Sequence, residues 1–420
     1  MHARLTRPNT TTVALALVGL ICTTPARAQL SPNMQDMLRR IHTTQEFGGG
    51  GRGAGASGRW AEKGQGYTAT ERAPEGGTEI VRYDTATGRR DVLMTAAQLT
   101  PPALGKPLQF SEYSASADGT RMLFATNGRP TMIRKTAYEY WTLDKTTGAW
   151  RKLGGNAAGQ APGDMPGLPS TRDPQQRSLR AGKTRPPRTE DVAFQGLLYA
   201  KLSPDGTRAA YVRGNNLYVE DLRSGAVTAL TSDGSPMIIN GTSDWVYEEE
   251  LGLRDAFQWS PDGRHIAYFQ FDQSGVPEFA LINYTDALYP VITKYPYPKA
   301  GQTNATVRIG VVPASGGATR WMKTPGDHRN TYIARMDWAA NSDEVIVQHL
   351  NRLQNTNTVL LANAATGDVR QMFVDKDEAW VDENATFVWL EQGKRLLFVS
   401  ERDGWRHAYA VGDSVGSDST

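Results

Sequence analysis

Hydrophobic and polar positions along this chain recur in two phrases. The first appears as "ASADGTRMLFAT", "LSPDGTRAAYVR", "WSPDGRHIAYFQ", "WAANSDEVIVQH" and "WLEQGKRLLFVS". Each has an apolar or small lead-in, a polar turn and then an alternating apolar run, the pattern of a strand, a tight turn and a second strand. The second appears as "IVRYDTATGRRDVLM", "YWTLDKTTGAWRKL", "LYVEDLRSGAVTAL", "IGVVPASGGATRWM" and "VLLANAATGDVRQM", where two strands flank a glycine-bearing turn. Joined, the phrases predict a four-stranded antiparallel unit that recurs on the order of every 50 residues, within the range of propeller blades. Sheets stacked radially are covered on both faces, which accounts for aromatic and β-branched residues on either side of a strand. The expected fold is therefore all-β, a β-propeller of four-stranded antiparallel blades. A β-sandwich would have no reason to repeat one phrase so often.

Composition agrees with a turn-rich architecture, since 42 Gly and 23 Pro would interrupt a helical bundle. With 46 Lys plus Arg against 44 Asp plus Glu, the net charge of +2 supplies no field to gather nucleic acid or an anionic membrane. At the N-terminus, Arg4 and Arg7 precede an apolar stretch from Val13 to Cys22, and "ARA" at Ala26 to Ala28 follows. This is the pattern of a signal peptide over residues 1–28, and the apolar run is well short of the about 20 residues needed to span a bilayer. Export to a periplasm or the medium is expected, with no membrane attachment after cleavage. The only cysteine, Cys22, lies in the removed segment, so neither a disulfide nor a cysteine-ligated metal is expected.

Residues 29–58 read as a short amphipathic helix followed by a Gly-rich linker. Within the linker, Gly53, Gly55 and Gly58 fit GxGxxG, but a dinucleotide loop must leave a strand and open a helix, and here it does neither. The six histidines show no paired ligand spacing, so no metal or cofactor is expected. Residues 59–420 form the propeller segment, with a Gly-, Pro- and Arg-rich irregular insertion at 154–188.

"SDWVYEEELGLRDAFQWSPDG", Ser243 to Gly263, sets three glutamates directly before a blade hairpin. Thr242 to Arg254 is expected to be an excursion that leaves one blade and returns to the next. Clustered carboxylates disfavour one another's ionised form, and an arriving amine would relieve them. A solvated acidic loop or helix start is the plainer alternative.

"TSDGSPMIINGTSDWVYEEEL", "FQWSPDGRHIAYFQFD", "VPEFALINY", "YPYPKAGQTNATVRIGVV" and "SERDGWRHAYAV" together resemble the N-terminal propeller of the dipeptidyl peptidase IV family, in the prolyl oligopeptidase clan. The likeness runs from about Leu197 to Val411 and more loosely from Ile80. Ala305 departs from it, standing where the family usually has proline. The resemblance implies an eight-bladed propeller capping an α/β-hydrolase domain, here incomplete and truncated before that domain, with paired glutamates that hold the α-ammonium of a peptide. Glu249 and Glu250 match that pair, and Glu248 is a flank. An arginine that contacts the substrate carbonyl maps to Arg134, for which a structural role is the alternative. The family releases N-terminal dipeptides with proline or a small residue second, and its members tend to form homodimers. The one GxSxG match, "GDSVG" around Ser414, is followed by no histidine, so no catalytic residue is expected among these positions. The alternative to an exopeptidase segment is a stand-alone exported propeller that binds peptides or proteins without catalysis.

If the signal reading holds, the mature protein begins at Gln29. N-terminal sequencing of the exported protein checks this, and an intact Met1 start would overturn it.

Overall fold

The computed structural model describes residues 59–61, 64–74, 76–131, 135–154, 196–285, 288–412 and 418–419. The signal segment, the helix and linker over 29–58, all of the 154–188 insertion beyond Gly154, and the Ser414 turn lie outside them. The chain divides into two units, Met1–Leu99 and Thr100–Thr420. Among the described residues there are six sheets of four or more strands and one two-stranded hairpin.

The first unit holds one sheet of β1 (Arg59–Ala61), β2 (Gly66–Arg72), β3 (Thr78–Asp84) and β4 (Arg90–Met94), in chain order. The second unit repeats this arrangement. Its first sheet contains β5 (Glu112–Ala115), β6 (Arg121–Pro130), β7 (Thr136–Asp144) and β8 (Trp150–Lys152). The next contains β9 (Leu198–Leu202), β10 (Arg208–Arg213), β11 (Asn216–Asp221) and β12 (Val227–Ala229). A third is built from β13 (Ile238–Asn240), β14 (Phe257–Trp259), β15 (His265–Asp272), β18 (Thr306–Pro313) and β19 (Arg320–Trp321). Between its β15 and β18 the chain adds a separate hairpin, β16 (Glu278–Asn283) with β17 (Val291–Pro296), whose first strand is exposed throughout. Two more sheets follow, β20 (Thr331–Trp338), β21 (Glu344–Asn351), β22 (Thr356–Asn363) and β23 (Val369–Lys376), then β24 (Val388–Leu390), β25 (Arg395–Ser400), β26 (His407–Gly412) and β27 (Asp418–Ser419). Every pairing is antiparallel between strands adjacent in the sheet, as the two phrases predict.

Burial explains why the strands look apolar on both sides. Along β10, Ala209 and Tyr211 join a cluster with Leu123, Ala125 and Tyr140 of the preceding sheet, while Ala210 and Val212 join one with Phe257, Ile266 and Tyr268 of the following sheet. On β21, Ile346 faces Leu396 and Phe398, whereas Val345 and Val347 face Phe269 and Val307. Successive side chains point to opposite faces of a strand, so each central strand feeds two cores. This face-to-face stacking of successive sheets is the propeller arrangement.

The recurrent turns are built alike. In the SPDG turn Ser203 Oγ donates to Asp205 Oδ1 at 2.6 Å, and Ser260 does the same to Asp262 at 2.6 Å. Gly206 and Gly263 take the left-handed conformation, φ +67° and +69°, that closes the turn without a Cβ clash. In the second phrase Asp221 Oδ1 accepts from the backbone N–H groups of Arg223 and Ser224, an Asx-turn.

Candidate functional site

One blade carries an interruption. β13 and β14 both pair with β15: Ile238 lies opposite Asp272 and Asn240 opposite Gln270, then Phe257 opposite Tyr268 and Trp259 opposite Ile266. Gly241 and Ala256 share Phe269 between them, through Gly241 N–H to Phe269 O and Phe269 N–H to Ala256 O, both 2.9 Å. The excursion thus departs from and returns to a single strand position of one blade, and does not pass from one blade to the next as the sequence led us to expect. A Thr242–Asp255 bridge pinches its base. Gly241 is required at the exit on two counts. Its φ is +76°, and a Cβ there would lie 2.8 Å from both Leu217 Cδ2 and Val212 Cγ2.

The excursion contains α1 (Trp245–Glu249), the only α-helix among the described residues. Asp244 caps it, its Oδ1 accepting the Tyr247 N–H at 3.0 Å. Asp244 is buried, and burial raises its carboxyl from the ordinary 3.8 to about 6 against the opposing pull of the Tyr247 N–H and of Lys135. Tyr247 anchors the helix to the next blade: its ring packs on Phe271 and Tyr332, and its hydroxyl accepts the Ile333 N–H at 3.0 Å. Trp245 lies 4.0 Å, centroid to centroid, from Tyr297.

Successive helical residues are turned by about 100°, so three glutamates in a row cannot share one face. Glu248 turns inward and is 1% exposed. Its Oε2 lies 3.5 Å from Lys135 Nζ and its Oε1 3.5 Å from Arg254 Nε. Glu249 is half-buried and Glu250, the C-cap, is exposed. The two glutamates singled out from the sequence thus lie at the end of the helix, one half-buried and one exposed, and Glu248 alone of the three is buried. Arg134 lies outside the described residues.

Several participants carry no signal in the sequence. Lys135 follows β6 and precedes β7, yet its Nζ also donates to the backbone carbonyl of Ser243, 108 positions away along the chain. Burial lowers its pKa, with Glu248 and Asp244 acting in the opposite sense. From β9, Lys201 Nζ reaches Asp255 Oδ1 at 2.7 Å, donates to the Phe257 carbonyl and sits 4.4 Å above the Phe257 ring. Tyr199, also on β9, holds an unusual φ of +54°. Its buried hydroxyl makes no hydrogen bond among the described residues, and burial, then Glu248 and Asp255, push its ionisation upward. Nothing short of a β-bulge would flag it, and β9 pairs with β10 through a register shift between Ala210 and Val212.

Residues 116–419 match the family described as the dipeptidyl peptidase IV (DPP IV) N-terminal region. The chain is 34% identical over 218 residues to the inactive dipeptidyl peptidase 10 of Mus musculus, covering 50% of this chain and 27% of that protein. It is 31% identical over 234 residues to the probable dipeptidyl peptidase 4 of Aspergillus flavus, covering 52% and 30%. The crystal structure of Porphyromonas gingivalis dipeptidyl peptidase 4 superposes with a TM-score of 0.70 at 26% identity, covering 88% of this chain and 47% of that one. The chain thus spans less than a third of the length of these curated relatives.

Two measurements check the helix anchoring. Tyr247→Phe deprives the buried Ile333 N–H of its acceptor and should cost about 1–3 kcal/mol in urea denaturation. An unchanged midpoint would show that the amide finds another partner. Because the Asp244 carboxyl is raised on folding, the stability tied to its proton is complete below about 3.8 and lost as pH rises through about 6. Asp244→Asn keeps a capping side chain and removes that titration, so its melting temperature should gain on wild type as pH rises through that window. A difference that stays constant with pH would contradict this origin.

Proposed function

Because the chain belongs to the family of dipeptidyl peptidase IV N-terminal regions, we propose that it is the substrate-anchoring propeller of an exported serine exopeptidase that releases N-terminal dipeptides with proline or a small residue second. The observation that carries this reading is the division of the three glutamates, one buried and two adjacent at the open end of α1. A pair of carboxylates at the end of a capped helix that is tied to the blades suits the α-ammonium of a peptide. Each charge-assisted hydrogen bond contributes about 1.5–3 kcal/mol where water is excluded. Fixing the ammonium at a set distance from a nucleophile presents the second peptide bond and no other, which is why dipeptides are the product. The nucleophile, its base and the orienting acid belong to an α/β-hydrolase domain that works with the propeller. Arg134 is proposed to contact the substrate carbonyl beside the scissile bond. No cofactor or metal enters this scheme.

The signal segment supports export, and the exposed β16–β17 hairpin, with Phe279, Leu281, Ile282 and Ile292 facing solvent, offers a surface for a homodimer of the full-length protein. Similarity to a relative described as inactive favours a second reading, an exported propeller that binds peptide N-termini without catalysis.

The deciding experiment uses the full-length protein and an aminoacyl-prolyl reporter. Turnover is expected, with Glu250→Ala lowering kcat/KM about ten- to a hundredfold, the loss of one charge-assisted bond. An N-acetylated reporter should be a poor substrate. Turnover that Glu250→Ala leaves unchanged would remove the anchoring role, and no turnover by wild type would favour the binding reading.

A further inference from the structure

The three glutamates are chemically identical, so side-chain identity alone does not decide which of them turns inward. A rotation of α1 by about 100° would put Glu249 in the place of Glu248 and change which carboxylates are left outside the core. Tyr247 and the Asp244 cap seat the helix, and the structure adds a hold on the inward carboxylate from two cations among the described residues. Lys135, on the loop between β6 and β7, approaches Oε2, and Arg254, on the returning limb, approaches Oε1, each at 3.5 Å. Lys135 also donates to the Ser243 carbonyl on the outgoing limb. Both limbs and the helix are thereby tied through one buried carboxylate to a blade two sheets away in the chain.

Stability alone is a poor explanation for this arrangement. Glu248 has a side-chain exposure of 0% and Lys135 of 14%. Taking such charges out of water costs several kcal/mol per ion, and well-packed apolar residues of similar volume serve a core at least as well. Buried ionic groups are best attested where one register must be selected over another. Here the two registers differ in which carboxylates reach an arriving ligand.

We propose that Lys135, Glu248 and Arg254 form a brace that selects the rotational register of α1, which makes Lys135 and Glu248 positioning residues for recognition of a peptide's free N-terminus. This rests on the anchoring role assigned above to Glu249 and Glu250. The brace touches no reacting atom. Its effect is to place two carboxylates at one distance from the scissile bond, and misplacement of about 1 Å at such a point costs on the order of a hundredfold.

The test compares two substrates of the full-length protein: the aminoacyl-prolyl reporter, which needs the ammonium anchor, and p-nitrophenyl acetate, which needs only the hydrolase nucleophile. Glu248→Gln and Lys135→Met should each raise KM for the reporter about tenfold or more while leaving ester hydrolysis at the wild-type rate. Lys135→Arg, which keeps a cation in reach, should restore most of the reporter KM. Each single variant strips a buried charge of one of its partners, so the Lys135→Met, Glu248→Gln pair serves if either fails to fold. That pair, with no brace left, should still show a reporter KM about tenfold above wild type, and no higher than the singles. An unchanged KM in the pair would overturn the brace, as would equal losses on reporter and ester, the mark of a merely structural role. If Glu250→Ala weakens reporter turnover while the brace variants match wild type, the register inference falls and the anchoring role stands. A wild type that releases no dipeptide removes both.

Discussion

Withdrawal of Glu248 from water is the constraint on which the excursion depends. A charged carboxylate at 1% exposure is tolerable only where cations and hydrogen-bond donors surround it. The chain brings Lys135 from one blade and Arg254 from the excursion itself. Once that carboxylate is inside, the helical twist leaves Glu249 half-buried and Glu250 exposed, and Tyr247, one position earlier, falls into the core beside Phe271. The five-residue helix is too short to persist by its own hydrogen bonds. Its cap, its buried tyrosine and its inward glutamate together do what length does elsewhere.

The blades make such a short element affordable. Each central strand is covered on both faces, so the strand from which the excursion departs is held by β15 along its whole length and by apolar clusters on both sides. Removing fourteen or so residues from the middle of an exposed strand would open its ladder. Here Gly241 and Ala256 close the gap across Phe269, and the sheet continues as though uninterrupted. Lys201 and Tyr247 then tie the excursion to the blades on either side, so its position is fixed relative to three sheets.

The fold was legible in the sequence because its determinants are local. Ser203 and Asp205, or Asp221 and Ser224, lie within a few positions of each other, and the same turn chemistry recurs wherever the phrase recurs. Alternation along β10 likewise reveals two buried faces without reference to any other strand. The excursion was legible as a protrusion, yet its return to the same strand was not, since pairing with β15 depends on register across a gap. Glu249 and Glu250 were found through family likeness, and the inward turn of Glu248 follows from helix geometry only once a helix is known to form there. The brace was not legible at all. "IRKT" and "YEEEL" hold nothing that predicts contact between Lys135 and Glu248, because that contact is made by the folding of whole sheets between them.

Charge placement around the excursion follows a consistent logic. Asp244 spends its oxygen on the helix cap, Glu248 faces Lys135 and Arg254, and Asp255 faces Lys201. The basic groups are thus directed to the acids that face the protein. That arrangement pairs the cations with acids at the base of the excursion and leaves Glu250 exposed, a distribution that the proposed ammonium anchoring would use. Tyr199 adds strain to the same region, with a left-handed backbone and a buried hydroxyl that makes no hydrogen bond among the described residues. Such outliers persist where the surroundings overdetermine them and gather at sites of function. A blade that needed only to be stable would have no use for a strained tyrosine, a buried lysine and an inward glutamate within one cluster. The proposed anchoring of an ammonium, which needs two carboxylates in one fixed orientation, would give all three a use.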